Sequence, residues 1–293
     1  TLSTATADIT PKALTVTGTT AANKAYDGTN AATISGGSIS TLTGVVSADA
    51  NNTTKLALVQ AGTFAQTGVG TGIAVTLADY LTGTSAANYT LTQPSNVTAN
   101  ITAKALTVTA GNVSKTYDGL TYTGGYSVTY SGFVNSETSA VLGGTLTYSG
   151  TSQTAINAST TAYPITPAGL TSSNYAITFA NGGLTINKAP LTVTGTSIAN
   201  NKVYDGTNAA TISGGTLSGV AAGDVANVTL NQVGTFAQTG VGTGLTVTAA
   251  ETLSGTAAGN YTLTQPTLST ATADITPKAL TVTANNVTKT YDG

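Results

Sequence analysis

Along the whole chain, apolar residues alternate with threonine over short stretches. Leu14 and Val16 alternate with Thr15 and Thr17, Leu56 and Leu58 stand two apart in 55–59, and Ile73, Val75 and Leu77 share one face of 73–77. A period of two is the signature of a strand with one buried face. Short strands are also expected at Ala32–Ser35, after the Asp27-Gly28 turn dipeptide, and at Tyr89–Thr92 and Val97–Thr102. Gly68, Gly70 and Gly72 punctuate the chain ahead of 73–77. Helical spacing is sustained nowhere. About seven short strands in roughly 90 residues, separated by frequent turn signals, predict an immunoglobulin-like sandwich.

The strand pattern repeats, and the repeats set the organisation. Tyr26–Gly37 recurs without change at Tyr204–Gly215, Gly62–Gly72 at Gly234–Gly244, and Asn88–Pro94 at Asn260–Pro266. The first copy carries a longer loop between Gly37 and Gly62. A looser period overlies this one. A lysine followed by apolar–Thr alternation opens at Lys12, Lys104, Lys188 and Lys278, and each opening is followed by Lys-x-Tyr-Asp-Gly, at Lys24, Lys115, Lys202 and Lys289. The middle repeat shares only its opening and a late Asn-Tyr pair with its neighbours, so it is a different type.

Residues 1–12 are identical to 267–278, and 278–293 resembles the start of the middle repeat. The expected division is therefore a last strand of a preceding module (1–11), modules at 12–103, 104–187 and 188–277, and a first hairpin of a following module (278–293). This order reads as a window on a longer alternating array. At the junctions one strand runs into the next with no Gly/Ser-rich linker, and Pro190 and Pro277 restrict the hinge. With a strand rise of ~3.4 Å per residue each module spans ~40 Å, so an elongated rod of tandem all-β modules is expected.

Composition narrows the chemistry. The 293 residues include sixty-five Thr and thirty-four Gly, nine Lys without Arg, eleven Asp and Glu, and no His, Cys, Met or Trp, for a net charge of −2. A chain without His or Cys has no Ser–His or Cys–His pair, no imidazole or thiolate metal ligand and no disulfide. No residue set supplies base, nucleophile and oxyanion donors, so an enzyme is not expected. Nine lysines leave no basic footprint for nucleic acid. The apolar runs are too short to span a membrane as a helix. A hydrophobic content of 40% is too high for a disordered chain.

The Lys-x-Tyr-Asp-Gly signature, the Lys-Ala-Leu-Thr-Val-Thr opening and the Asn-Tyr-Thr-Leu-Thr closing motif resemble the YDG and MBG (mostly bacterial Ig-like) repeat families. The first and third repeats resemble the YDG type and the middle one the MBG type. Such repeats occur in very large secreted bacterial proteins, often behind a filamentous-haemagglutinin-like secretion domain. The resemblance implies a secreted or cell-surface protein of adhesion and biofilm matrix.

Three groups of residues are candidates for a role. The tyrosines of the Asn-Tyr pairs, Tyr89, Tyr175 and Tyr261, sit at the start of a late strand, where a tyrosine corner packs its ring and bonds its hydroxyl to upstream backbone. In Tyr26-Asp27-Gly28, Tyr117-Asp118-Gly119 and Tyr204-Asp205-Gly206, the aspartate is expected to cap a turn, the glycine to take positive φ and the tyrosine to pack. A calcium role for these aspartates is disfavoured, because calcium takes six to eight oxygens. No metal or cofactor is expected. The third group is the tyrosines of the middle repeat. Tyr126, Val128 and Tyr130 share a strand face, read as core, with an aromatic sugar-binding stripe as the alternative. Lysines at equivalent positions leave an isopeptide crosslink open, although no carboxylate repeats beside them. The expected function is a structural stalk of a bacterial adhesin, giving reach and cohesion; the alternative is a carbohydrate-binding array acting through the middle repeat. Expected partners are other copies of the chain, and matrix polysaccharide or a neighbouring cell surface, with no nucleic acid and no membrane insertion.

Overall fold

The computed structural model describes residues 4–39 and 42–293. The chain is all-β, and its helical pieces among the described residues are single 3-10 turns such as Ala86–Asn88 and Ala258–Asn260. In each repeat the opening strand runs parallel to the strand that begins with the late tyrosine. Lys12 faces Tyr89, Lys104 faces Tyr175 and Ala189 faces Tyr261. Leu14, Leu106 and Leu191 thereby face Leu91, Ile177 and Leu263, so the apolar alternation keeps the register even though the third opening carries an extra residue ahead of its leucine.

In the first repeat the five-stranded sheet has the order Lys24–Ala25, Thr98–Thr102, Gly70–Leu77, Gly62–Phe64, Ala31–Ala32. Smaller antiparallel pairs form between Thr20–Ala21 and Ile34–Ser35, and between Ala57–Val59 and Tyr80–Thr82. The third repeat has a six-stranded counterpart: Ile198–Ala199, Ala209–Ser213, Val233–Phe236, Gly242–Ala249, Thr272–Thr276, Lys202–Val203. In the middle repeat one sheet has the order Val128–Ser131, Lys104–Ala110, Tyr175–Ala180, and the other Val113–Thr116, Gly182–Asn187, Tyr163–Thr171, Gly143–Ser149.

Compactness divides the residues in another way. One unit comprises 1–111, 127–148 and 166–181, and the other 112–126, 149–165 and 182–293. In the first unit a single core contains Tyr26, Phe64, Val75 and Ile101 from the first repeat together with Leu106 and Tyr175 from the first sheet of the middle one. A second cluster, Leu14, Val16, Leu42, Leu56 and Tyr89, lies in the same unit. In the second unit Ala199, Ala210, Phe236, Val247, Ala273 and Ile275 form the corresponding core.

Strands were expected within 1–11 and 278–293. Positions 1–3 lie outside the described residues, and residues 4–11 and 277–293 take part in no sheet. The reason is pairing: the twin of 4–11, Thr272–Thr276, lies between two partner strands of its own repeat, and an apolar–Thr string without a partner has nowhere to place its backbone bonds except water.

Candidate functional site

The first three Lys-x-Tyr-Asp-Gly motifs each fold into a braced turn. The Asp27 carboxylate accepts from the Thr29 amide at 2.9 Å and from Lys24 Nζ at 2.8 Å, and Lys24 also donates to the carbonyls of Thr29 and Ala31. Asp118 and Asp205 repeat this with Leu120 and Thr207 and with Lys115 and Lys202. Gly28, Gly119 and Gly206 have φ of 74°, 78° and 82°, which a side chain would strain. The Lys24 ammonium holds the Asp27 carboxyl down at about 2, and Lys115 and Lys202 lower Asp118 and Asp205 in the same sense. Bracing by lysine was not part of the sequence reading. It commits these lysines to aspartate and to backbone carbonyls.

The turn aims its tyrosine at the corner of the following repeat. In the first unit Tyr26 donates from Oη to Glu137 Oε1 at 2.7 Å, and Tyr175 donates to Glu137 Oε2. The two rings meet edge to face, with centroids 5.4 Å apart. Three further contacts tie the same pieces together. The Val134 amide donates to Tyr175 Oη at 3.1 Å, Asn135 Nδ2 to the Asp27 carbonyl at 2.7 Å, and the Val69 amide to Asn174 Oδ1 at 3.1 Å. The second unit repeats the arrangement with other residues. Tyr117 and Tyr261 both donate to Asp224 Oδ2, at 2.6 and 2.7 Å, with ring centroids 5.3 Å apart. The Ala221 amide donates to Tyr261 Oη and the Ala158 amide to Asn260 Oδ1.

A buried carboxylate needs donors for its lone pairs, and two phenols meet that need without adding charge. The carboxylates in turn make the phenols harder to ionise. Tyr26 is pushed up to about 12, first by its bond to Glu137 and then by burial, and Tyr117 to about 12, first by burial and then by Asp224. Tyr89, Tyr175 and Tyr261 are raised chiefly by burial.

The corner of the first repeat has the same inner half. Tyr89 donates to Asp49 Oδ2 at 2.8 Å and accepts from the Val46 amide, while Ser85 donates to Asp49 Oδ1. The corner tyrosines thus bond upstream backbone and, beyond the expectation, a carboxylate. Tyr204 differs from the expected packing: it is 41% exposed, against 6% for Tyr26 and Tyr117, because no corner among the described residues lies against it.

Sequence reading missed Asp49, Glu137 and Asp224. It looked for one recurrent acid type at one position, whereas the acid varies and the spacing drifts, lying 40, 38 and 37 residues before the corner tyrosine. In a chain with eleven acids, that recurrence was the available signal.

The family model described as YDG domain matches residues 10–97 and 187–270. The chain belongs to the YDG domain family. Between its two YDG domains, residues 106–185 match the MBG domain of the YGX type. No curated protein and no solved structure matches the chain.

Other features of the YDG and MBG domains carry less chemistry. Among the described residues no three Asp or Glu side chains gather into a metal-holding group. In the MBG domain Tyr130 packs against the first core and the ring of Phe133. Tyr122 and Tyr126 tilt against each other, and Tyr122 lines a hollow of about 370 Å³. Among the described residues no helix is long and apolar enough to cross a membrane.

Proposed function

We propose that this chain is a structural segment of a secreted bacterial adhesin, a stalk at the cell surface or in biofilm matrix whose work is reach and cohesion. The observation that carries the reading is the joint between successive repeats, in which a turn tyrosine enters the next repeat's corner and shares its carboxylate. It occurs twice, at Tyr26–Glu137–Tyr175 and at Tyr117–Asp224–Tyr261. A flexible string of binding modules has no use for such a joint, whereas a stalk that must transmit force has one. The segment does no chemistry of its own in this reading, and a nearly uncharged Thr-rich surface offers little repulsion to neighbouring copies.

Swapping tests the reading. In a parent adhesin displayed on cells, these repeats are replaced by an unrelated β-sandwich rod of equal length. A stalk predicts that adhesion survives the swap and is lost on simple deletion. Loss of adhesion in the swapped protein would mean that the repeats themselves bind, and a glycan array on the chain would then look for the sugar. Tyr130 is spent in the core, so of the Tyr126–Val128–Tyr130 face Tyr126 is the tyrosine left for a sugar, its ring tilted against Tyr122.

A further inference from the structure

In the first repeat, residues of two strands from different sheets, Tyr80–Thr82 and Tyr89–Thr92, line a hollow of about 400 Å³. That volume is of the size that small-molecule sites have, roughly 300–1,000 Å³. Leu81, Ala86 and Leu91 supply apolar wall, and Tyr80, 53% exposed, an aromatic one. Asp79 and Gln93 also line it. The Gln93 side chain holds the Asp79 backbone, accepting from its amide at 3.2 Å and donating to its carbonyl at 2.6 Å. One Asp79 carboxylate oxygen accepts from the Ala61 amide, and the other has no partner among the described residues. Asp79 is 5% exposed, and the described ion pairs bring no lysine to it. A buried carboxylate without a full set of partners is costly, so this oxygen calls for a donor, and a cationic donor answers best.

These walls do not depend on an uncovered corner. In the third repeat, where Tyr117 fills the corner, Leu253, Ala258 and Leu263 are half-buried, as Leu81, Ala86 and Leu91 are. Gln265 holds the Glu251 backbone as Gln93 holds that of Asp79, and Glu251 is buried with both oxygens unpartnered. The aromatic wall does not recur, since Thr252 stands in the place of Tyr80. We propose that the hollow of the first repeat binds an amino sugar, one unit of a polysaccharide with free amines. Its ammonium pairs with the open Asp79 oxygen, and the CH face of its ring packs against Tyr80, Leu81 and Leu91. A lysine side chain brings the same ammonium but only a thin alkyl stem, to a hollow with room for a ring. N-acetylation of the sugar removes the charge that Asp79 calls for. A grip on polysaccharide along the shaft is separate from reach, so the site does not rest on the stalk reading.

Calorimetric titration of the full chain tests the inference, at a pH that keeps sugar amines protonated. The probes are a short chitosan oligomer, which carries free amines, and the chitin oligomer of equal length, its N-acetylated form. Chitosan is expected to bind, and chitin to bind at least ~10-fold more weakly, the loss of one charge-assisted hydrogen bond. Asp79→Asn should cost a similar factor, and Tyr80→Ala roughly 5-fold. Tyr80→Ala, on an exposed residue, carries the test should Asp79→Asn prove unfolded by circular dichroism. Thr252→Ala, at the matching position of the third repeat, should leave binding unchanged, and a loss there would place the sugar elsewhere and overturn the proposal. No binding of chitosan, equal binding of the two oligomers, or folded Asp79 and Tyr80 variants that bind like the wild type would each overturn it. So would an oligolysine that binds as tightly as chitosan, since an ammonium would then suffice without the ring. The adhesion swap reads reach and this titration reads the hollow, so either can fail alone.

Discussion

Two kinds of acid are buried or partly buried in this protein, and their surroundings give them opposite roles. Glu137 and Asp224 are satisfied by phenols, whereas Glu251 is buried with neither carboxylate oxygen bonded, and Asp79, its counterpart in the first repeat, is bonded through one oxygen alone. Burial therefore raises the pKa of Glu251. A raised carboxyl pKa means that the folded state holds its proton more tightly than the unfolded state. Its contribution is complete below the ordinary carboxyl range and is lost as pH rises through the raised value. Glu251→Gln should accordingly stabilise the chain at neutral pH and do little in acid, as read by chemical denaturation at the two pH values; equal effects would refute the assignment. The joint tyrosines respond at the other end of the scale. An ordinary phenol titrates near pH ~10, and Tyr26 and Tyr117 are held up to about 12. Stability from the joints is thus whole below the ordinary value and disappears as pH climbs through about 12. Absorbance titration of tyrosinate should show a late fraction that shrinks in Tyr26→Phe and Tyr117→Phe, and a single transition near the ordinary value would count against the joint.

At the scale of the element, the same letters have two fates. Residues 4–11 and 270–277 have one sequence, yet Ile9 is 99% exposed and Ile275 1%. Thr272–Thr276 gains its backbone bonds from Gly242–Ala249 and Lys202–Val203 and turns Ala273 and Ile275 into the core. Removing a buried isoleucine side chain typically costs about 2–5 kcal/mol, while a surface change stays within about 0.5 kcal/mol. Ile275→Ala should therefore lower the denaturation midpoint sharply and Ile9→Ala hardly at all; similar losses would mean that 4–11 is packed. The alternation and the Asp-Gly turns were legible because they depend on neighbours in sequence, whereas the register of the opening strands comes from parallel partners about 70 residues away. The braced lysine was not, since its partners are carbonyls, which leave no mark on residue identity.

For the molecule as a whole, the repeat and the cooperative unit are different things. Phe64, Val75 and Ile101 share their core with Leu106 and Tyr175, so the first sheet of the MBG domain should lose its protection together with the first YDG domain. Hydrogen exchange on Phe64→Ala, a change that costs about 3–5 kcal/mol in a packed core, should accelerate amides in 104–110 and 175–180 along with those of 62–77. Unchanged protection in the MBG strands would show that the shared core does not couple them.

What the sequence determined by itself is local: a strand-forming pattern wherever Thr alternates with an apolar residue, a turn at Asp27-Gly28, Asp118-Gly119 and Asp205-Gly206, the repeat, and through it the family. Those features arise from backbone preference and from a face that must be buried, both written within a few residues. What only the tertiary structure decided is which strings find partners and which acids meet which phenols. Tyr26 and Glu137 lie 111 residues apart, and Tyr117 and Asp224 107. Their meeting depends on how one repeat seats on the next, and Tyr204, with the same local sequence as Tyr26, remains open. The physical reason is that hydrogen bonds and burial belong to pairs of surfaces, so identical segments differ wherever their surroundings do.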